Sequence, residues 1–354
     1  MASNDSFKPY STENVDRILA PIYVGVIIFG VSGNAFVMAV IKNTRSMHTT
    51  TNFLLLNLAV ADFLTLLWCL PYKVLIFVFD HPHGVAGDYL CKFFTSYNVT
   101  VITLTVSIFT LTVLSVERYR ALLKPMHHHL RLELDTVCYA IAAIWICATG
   151  FMIPLFVVTQ YVPEAQTCRV NWPSKKQEDL YSMCIMVFSI FAPITVTVIC
   201  YLKIIKGLYF SNTICAAPAG PQQGTDLQEK RKIVKILLLV TSAFILCFLP
   251  YASFRIVVAL ADETNYEQYN RLQELREIFK FLSYTSSSFN PVIYTIQSSN
   301  YRAALKRLFI KSCYCGSNNN NMSNSIESIT GELHTVPRQF STNLPDNLNA
   351  NKTG

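Results

Sequence analysis

The chain has 354 residues, and only 14% of them are charged, whereas a soluble domain carries about 25%. Apolar residues make up 52%, and the formal net charge of +7 at pH 7 is modest. This composition excludes an intrinsically disordered chain, a collagen-like chain and a disulfide-dense secreted scaffold. It indicates a membrane protein.

Seven stretches are apolar enough to cross a bilayer, which takes about 20 mostly apolar residues in a helix. They are Pro21–Ile41, Thr49–Tyr72, Phe93–Val116, Thr136–Pro163, Leu180–Leu202, Ile236–Ala261 and Phe281–Tyr301. Asp62 and Arg255 are the charged residues within them. A soluble helical bundle is disfavoured because such helices have no polar face to turn toward water. The sequence predicts an all-α membrane protein, a seven-transmembrane helix bundle followed by a short amphipathic eighth helix.

Lys and Arg are divided unevenly between the two sides of this predicted bundle. The segments 42–48, 117–135, 203–235 and 302–311 contain more than half of the 29 basic residues. Because basic residues accumulate in cytoplasmic loops, these segments are predicted to be cytoplasmic. The protein is then a multi-pass plasma-membrane protein with an extracellular N-terminus and a cytoplasmic C-terminus.

Composition divides the chain into four segments. Residues 1–17 form a predicted extracellular N-terminus, in which Asn4 begins an Asn-Asp-Ser glycosylation acceptor. Residues 18–301 form the transmembrane domain, and residues 302–315 form an amphipathic helix on the inner membrane surface. Residues 316–354 are rich in Asn, Ser and Thr, which predicts a disordered cytoplasmic tail.

Two cysteines at the end of the amphipathic helix, Cys313 and Cys315, are candidates for palmitoylation. The acyl chains would add an anchor to a helix whose basic face already suits anionic membrane lipids. The alternative is that both remain unmodified surface thiols.

One carboxylate, Asp62, lies halfway along the second span. Charge inside a membrane is costly and usually functional. Asn34, Ser107, Ser286 and Asn290 are polar residues of other spans that can face inward. A carboxylate with hydroxyl and amide oxygens suits a monovalent cation or a proton. The alternative for each residue is an ordinary hydrogen-bonded contact between helices.

Cys91 and Cys168 are the cysteines that this topology places on the extracellular side. That compartment is oxidising, so the two are predicted to form a disulfide bond. The bond would hold the second outer loop across the mouth of the bundle.

Short motifs appear along the chain in a fixed order. They are Gly33-Asn34, Asn57 to Asp62, Cys91, Glu117-Arg118-Tyr119, Trp145, Cys247-Phe248-Leu249-Pro250 and Asn290-Pro291-Val292-Ile293-Tyr294. Together they resemble the rhodopsin-like (class A) G-protein-coupled receptors, most closely the neuropeptide branch. The resemblance covers about residues 18–315.

The resemblance implies roles for particular residues. It implies an allosteric sodium pocket made of Asp62, Ser107, Asn290 and Asn34. It implies that activation and G-protein coupling involve Glu117, Arg118, Tyr119, Tyr201, Tyr294, Phe244 and Phe248. Arg118 would face a heterotrimeric G protein, and Tyr201 and Tyr294 would approach it in the active state. Pro193, Ile108 and Phe244 would repack on activation, while receptor kinases and arrestin would act on the tail.

Three positions depart from the family pattern. Glu117 replaces the commoner Asp, and Phe248 replaces the usual Trp of the sixth helix. The start of the sixth helix has Lys230, Arg231 and Lys232 where some members place an acid that clamps the arginine. An inactive-state lock through that acid is therefore not expected here.

Ligand chemistry is inferred from the outer ends of the spans. The family's amine receptors have an acid where this chain has Thr100, and its retinal proteins have a lysine where this chain has Tyr284. Both ligand types are therefore disfavoured. Basic and aromatic residues suit carbonyls, a carboxylate or an acidic side chain with aromatic packing. The predicted ligand-binding residues are Lys73, Tyr97, Thr100, Tyr251, Arg255, Arg276, Lys280 and Tyr284.

Acidic residues, including Glu178, Glu263 and Glu277, are predicted to form a rim above this basic floor. A ligand that meets both charges is more consistent with a peptide than with a small lipid. The alternative for these charges is that they pair with one another, as Arg276 could with the neighbours of Glu277.

The sequence thus predicts a G-protein-coupled receptor for an extracellular neuropeptide. One alternative is a receptor of the same fold for a carboxylate-bearing lipid or metabolite, and a remote one is a seven-helix transporter or channel. No cofactor is expected besides sodium, and no nucleic-acid partner. Enzyme activity is not expected, because no residue cluster has nucleophile–base spacing. His127–His129 is interpreted as a solvated loop rather than a metal site.

Overall fold

A computed structural model describes residues 13–73, 81–124, 132–165, 167–210, 223–260, 266–298 and 301–307. The helices in these ranges are α1 (Glu13–Asn43), α2 (Thr50–Lys73), α3 (Gly84–Leu90), α4 (Asn98–Leu123), α5 (Leu134–Val158), α6 (Lys175–Ile185), α7 (Ala192–Ile205), α8 (Gln223–Leu260), α9 (Tyr266–Gln297) and α10 (residues 301–307). Strands β1 (Thr159–Val162) and β2 (Thr167–Val170) form an antiparallel hairpin. The predicted N-terminal glycosylation site Asn4 and the cysteines Cys313 and Cys315 lie outside the described residues.

Six helical segments within the described ranges are long and apolar enough to cross a membrane. They are Ala20–Asn43, Thr50–Pro71, Gly84–Leu123, Leu134–Val158, Lys175–Leu208 and Arg231–Val257. Helix α9 has 32 residues, ample for a seventh crossing, but is less apolar. Its first half carries charged residues, and its second half carries the buried serines Ser283, Ser286 and Ser287. The protein is a multi-pass membrane protein with the fold of a seven-helix bundle.

Polar caps fix where two of the helices begin. The backbone N–H of Glu133 donates to the Thr136 hydroxyl at 3.0 Å, which completes a capping box at the start of α5. At the start of α6, the Ser174 hydroxyl accepts a hydrogen bond from the backbone N–H of Gln177 at 3.3 Å. Each cap satisfies a backbone group that the first helical turn leaves without an intrahelical partner.

Prolines lie within several of the long helices. Pro250 and Pro291 lie inside α8 and α9, which continue through them. Pro193 instead follows a π-helical stretch, Met186–Phe191, that joins α6 to α7. Each turn of a π-helix is wider than an α-helical turn, so the two parts of this span differ in register.

The hairpin β1–β2 closes over one end of the bundle, called here the disulfide end. Cys168 lies opposite Tyr161 in the hairpin, and the disulfide bond joins it to Cys91, with 5.6 Å between the two Cα atoms. The predicted pairing is thus confirmed. The fourth span was predicted to reach Pro163, but α5 ends at Val158 and the chain continues as β1. The sequence Thr-Gln-Tyr-Val explains the change, since β-branched and aromatic residues favour a strand.

Helices α2, α4 and α5 are tied together at Asn57. Its Nδ2 donates to the Thr110 hydroxyl at 2.8 Å, and its Oδ1 accepts from Trp145 Nε1 at 2.9 Å. Asn57 is buried, so both bonds form away from water, where an unmet polar group is costly. This contact fixes the relative height of three helices.

Helix α1 packs closely against its neighbours at two glycines. A Cβ at Gly30 would collide with Leu66 of α2 and Ser288 of α9, and one at Gly33 would collide with Pro291. The absence of a side chain therefore allows three backbones to approach one another.

Residues up to Leu305 form one compact unit, and a second unit begins at Lys306. Within the first unit, Arg302 at the start of α10 donates from Nη1 to the backbone oxygens of Thr295 and Ile296, at 3.1 and 2.7 Å. These bonds satisfy carbonyls at the end of α9. The predicted amphipathic helix extends to residue 315, and its residues after 307 lie outside the described range.

Candidate functional site

Three hydrogen bonds converge on the buried carboxylate of Asp62, at the middle of the bundle. Ser107 of α4 and Ser287 of α9 donate to Oδ1 at 3.0 and 2.9 Å, and Asn290 donates to Oδ2 at 2.5 Å. Asp62, Ser107 and Ser287 have no exposed surface, and Asn290 is 2% exposed. These four residues are called the Asp62 cluster, and they join α2, α4 and α9.

Two of the predicted partners, Ser107 and Asn290, thus contact Asp62 directly. Asn34 does not contact the carboxylate, but its Nδ2 donates to the backbone oxygens of Gly30 and Ser287, both at 2.9 Å. Ser287 was missed by the sequence interpretation, which named its neighbour Ser286. Ser286 instead donates to the Ser283 backbone oxygen at 2.6 Å. Helical spacing offered a signal, because a residue three positions before Asn290 shares its face of the helix.

The donor set of the Asp62 cluster fits a small monovalent cation. In the described part of the chain, the hydrogen-bond partners of Asp62 are all neutral, so its charge is not balanced by Lys or Arg. Carboxylate and hydroxyl oxygens are the ligands that hard cations prefer. The Oδ1 atom of Asn34 is buried and has no hydrogen-bond partner among the described residues.

Arg118 lies at the opposite end of the bundle from the disulfide, called here the Arg118 end. Its Nε and Nη2 atoms donate to the two oxygens of Glu117 at 2.6 and 3.1 Å. Glu117 is 3% exposed, so this two-pronged ion pair is largely shielded from water. All hydrogen bonds of Arg118 within the described ranges go to Glu117, whereas Arg231 of α8 donates to the backbone oxygen of Leu208 at 3.2 Å.

The two predicted activation tyrosines have different surroundings. The Tyr201 hydroxyl lies 3.3 Å from the Thr241 hydroxyl, a contact between α7 and α8. The buried hydroxyl of Tyr294 has no hydrogen-bond partner among the described residues, and its ring meets Tyr301 edge-on at 6.3 Å. Tyr119 lies near two ammonium groups, because its ring centroid is 5.9 Å from Lys124 Nζ and 5.6 Å from Lys203 Nζ.

Phe248 takes part in a run of aromatic contacts along α8. Its ring stacks on Phe244 with centroids 5.7 Å apart and meets Tyr251 edge-on at 6.1 Å. Phe244 and Phe248 are both buried, as are Pro193 and Ile108 of the predicted trio. Phe248 therefore fills the usual Trp position with an apolar ring that needs no hydrogen-bond partner.

Four predicted ligand-binding residues come together toward the disulfide end. The Tyr97 ring lies 6.3 Å from the Tyr251 ring and 5.9 Å from the Tyr284 ring, measured between centroids. The Nζ atom of Lys280 lies 5.6 Å from the centroid of Tyr97, a cation–π contact. Tyr97, Tyr251, Tyr284 and Lys280 are called here the aromatic chamber, to which α8, α9 and the residue just before α4 contribute.

The predicted basic floor is partly paired with an acid. Lys280 Nζ lies 2.9 Å from Glu277 Oε1, and Arg276 Nε lies 3.3 Å from the same oxygen. Glu277 was predicted to lie on the exposed rim, but it is only 3% exposed. That prediction was wrong because a residue three positions from Lys280 shares its helix face. The alternative, in which these charges pair with one another, holds here.

The remaining predicted ligand residues are spread around the chamber. Arg255 of α8 is half-buried and donates from Nη2 to the Ser182 hydroxyl of α6 at 3.4 Å, a long and weak bond. Thr100 is fully buried, and its hydroxyl oxygen has no hydrogen-bond partner among the described residues. Lys73 ends α2, and its side chain lies outside the description.

Comparison with known proteins identifies the class. The family described as "7 transmembrane receptor (rhodopsin family)" matches residues 33–294, most of the chain. The chain therefore belongs to the rhodopsin family of seven-transmembrane receptors.

Individual relatives within the family are receptors named for peptides. The chain is 28% identical to the galanin receptor type 2 of Mus musculus, over 83% of this chain and 76% of the relative. It is 28% identical to the RYamide receptor and 26% identical to the tachykinin-like peptides receptor 99D, both of Drosophila melanogaster, over 82% and 81% of this chain. The chain spans 63% and 56% of the length of these two Drosophila relatives.

Proposed function

We propose that this protein is a G-protein-coupled receptor for an extracellular peptide. The observation that carries the proposal is the arrangement of three sites along one bundle. The aromatic chamber lies toward the disulfide end, the Asp62 cluster lies in the middle, and the Arg118–Glu117 ion pair lies at the other end. Helices α4 and α9 each contribute residues to two of these sites. A ligand that repacks the aromatic chamber can therefore affect the Arg118–Glu117 pair through these helices.

The chemistry of the chamber supports a peptide ligand. Tyrosine rings offer large apolar surfaces with polar tips, and Arg255 offers a charged donor for a carbonyl or carboxylate group. Galanin, RYamide and tachykinin-like peptides give their names to relatives of this chain. Peptide recognition is therefore favoured over a receptor of the same fold for a carboxylate-bearing lipid or metabolite.

The disulfide bond supports a direction for the signal. Disulfides persist on the oxidising side of a membrane, so the disulfide end and the N-terminus would face the exterior of the cell at the plasma membrane. The Arg118 end would then face the cytoplasm and a heterotrimeric G protein. Receptor kinases and arrestin would act on the tail after residue 315, and inner-leaflet lipids would contact the basic residues of α10.

Sodium is the proposed allosteric ion of the Asp62 cluster. When bound, it would supply the positive charge that balances the carboxylate. Asp62 with the hydroxyls of Ser107 and Ser287 would hold it.

The test is a peptide screen on cells that express the chain. The panel contains galanin, RYamide and tachykinin-like peptides together with carboxylate lipids and metabolites, and calcium and cAMP are both measured. A response to a peptide is expected, and Arg118→Ala should abolish that response while the labelled peptide still binds. A response confined to carboxylate lipids or metabolites, or one that persists in Arg118→Ala, would contradict the proposal.

A further inference from the structure

The acid that pairs with Lys280 is buried beside the aromatic chamber. Glu277 is 3% exposed and Lys280 is 7% exposed, and their charged atoms are 2.9 Å apart. Arg276, whose side chain is 36% exposed, reaches the same carboxylate oxygen at 3.3 Å from the more solvated side. An ion pair that is cut off from water interacts far more strongly than one on the surface.

The position of this pair makes it part of the chamber wall. Glu277 and Lys280 are three residues apart on α9, so they lie on one face of that helix. Lys280 also contacts the ring of Tyr97, the residue just before α4, and that ring contacts Tyr251 and Tyr284. A polar ligand group that enters among these tyrosines meets an ammonium group with a carboxylate directly beside it.

A charged donor next to a charged acceptor discriminates between ligand groups. A ligand carboxylate could bind Lys280, but it would then lie directly beside the carboxylate of Glu277. The two negative charges would repel each other strongly. A ligand ammonium group could bind Glu277, but it would then lie beside the ammonium group of Lys280, which repels it. A carboxamide satisfies both residues, because its oxygen accepts from Lys280 while its N–H group donates to Glu277.

We infer that Glu277 is a specificity-determining residue that makes the aromatic chamber select a carboxamide over the corresponding carboxylate. Carboxamides of this kind occur in Asn and Gln side chains and at amidated peptide ends. The inference rests on the proposed function only in taking the aromatic chamber as the ligand site. It separates the role of Lys280 from that of Arg255, whose contact with the described residues is a neutral hydroxyl.

The test uses two small probes that differ only in the group at issue, N-acetyltyrosinamide and N-acetyltyrosine. Saturation-transfer NMR on the purified receptor detects weak binding and requires no knowledge of the natural ligand. The amide is expected to bind at least about tenfold more tightly than the acid, since placing a second carboxylate beside that of Glu277 costs that much or more. In Glu277→Gln the order should reverse, because the acid can then bind Lys280 without the Glu277 carboxylate beside it.

Two further variants make the result specific. Glu277→Gln leaves Lys280 with less compensation and could destabilise the fold, so the double variant Glu277→Gln/Lys280→Gln, which removes both charges, is measured as well. It should no longer prefer the amide, because the Glu277 carboxylate that repels the acid is gone. Asp135→Asn is the matched control, because this carboxylate is exposed in the first turn of α5 and is not among the predicted ligand or rim residues. It should keep the wild-type preference for the amide.

Several outcomes would overturn the inference. They are equal binding of both probes by the wild type, binding of neither probe, or an unchanged preference in the double variant. These outcomes are independent of the peptide screen. If no panel peptide acts but the probe preference reverses as expected, the peptide proposal fails and the role of Glu277 stands. If a peptide acts but the preference does not respond to Glu277, the role of Glu277 fails and the receptor proposal stands.

Discussion

Replacing Asp62 by Asn is expected to remove the response of the receptor to sodium. The carboxylate accepts two hydroxyl hydrogen bonds at Oδ1, from Ser107 and Ser287, and one amide hydrogen bond at Oδ2, from Asn290. An asparagine in the same rotamer keeps the carbonyl oxygen for the two serines. Its amide nitrogen, however, would face the amide nitrogen of Asn290, so two donors would oppose each other.

The magnitude follows from what the substitution removes. It takes away the charge that attracts the cation and one charge-assisted hydrogen bond, and a bond to a charged group contributes about 1.5–3 kcal/mol. Because about 1.4 kcal/mol corresponds to a factor of ten, sodium affinity should fall at least about 10- to 100-fold. Among the described residues, the hydrogen-bond partners of Asp62 are neutral, so none of them supplies a second charge to compensate for the loss.

The assay is thermal unfolding of the purified receptor in sodium chloride and in choline chloride at equal ionic strength, which removes general screening from the comparison. Wild type should be stabilised by sodium, and Asp62→Asn should not. Ser287→Ala should lose part of the effect. Ser286→Ala is the matched control, because this neighbour donates to the Ser283 backbone oxygen at 2.6 Å instead. A sodium response that survives in Asp62→Asn, or one absent from wild type, would refute the assignment.

Further predictions concern the two ends of the bundle and its core. Replacing Cys91 or Cys168 by Ala should abolish surface expression or binding, measured by flow cytometry, since a native disulfide contributes about 2–5 kcal/mol, and normal binding by both variants would contradict this. Arg255→Ala should shift the peptide dose–response curve by about 30- to 1000-fold, corresponding to about 2–4 kcal/mol, with Arg255→Lys recovering only part. Normal potency of the alanine variant would make this arginine structural. Trp145→Phe should lower the free energy of unfolding by about 1–3 kcal/mol, because the Oδ1 atom of Asn57 loses its donor. An unchanged unfolding midpoint would show that water replaces the lost bond.

The transmembrane helices could be predicted from composition, because the requirement for some 20 apolar residues leaves little freedom. The ends of the helices could not. The seventh span was predicted to start at Phe281, but α9 starts at Tyr266. Charged residues interrupt an apolar stretch, but they do not end a helix. The part of α9 that precedes Phe281 contains Arg276, Glu277 and Lys280.

The candidate sites were predictable where the resemblance of the motifs to a known family supplied the partners. Ser107 and Asn290 were assigned to Asp62 by resemblance, and the structure brings both into contact with it. Contacts between distant segments required coordinates, as the meeting of Tyr97 with Tyr284 illustrates. The burial of Glu277 was missed because the sequence shows that burying a charged residue costs free energy. It does not show which residue will pair with that charge.

The π-helical stretch Met186–Phe191 has a consequence for which residues of α6 face the interior. A residue of an α-helix is rotated by about 100° from the one before it, so one extra residue per turn rotates everything beyond it by roughly that angle. A helical wheel that runs from Tyr201 toward the N-terminus and treats the stretch as ordinary α-helix would therefore place Ser182 on the wrong face of the span. In the structure, Ser182 contacts Arg255. Deleting one residue within this stretch would straighten the span and turn the α6 surface away from α8. A deletion in this stretch would thus rotate the α6 residues that face the ligand site without changing any residue of the site itself.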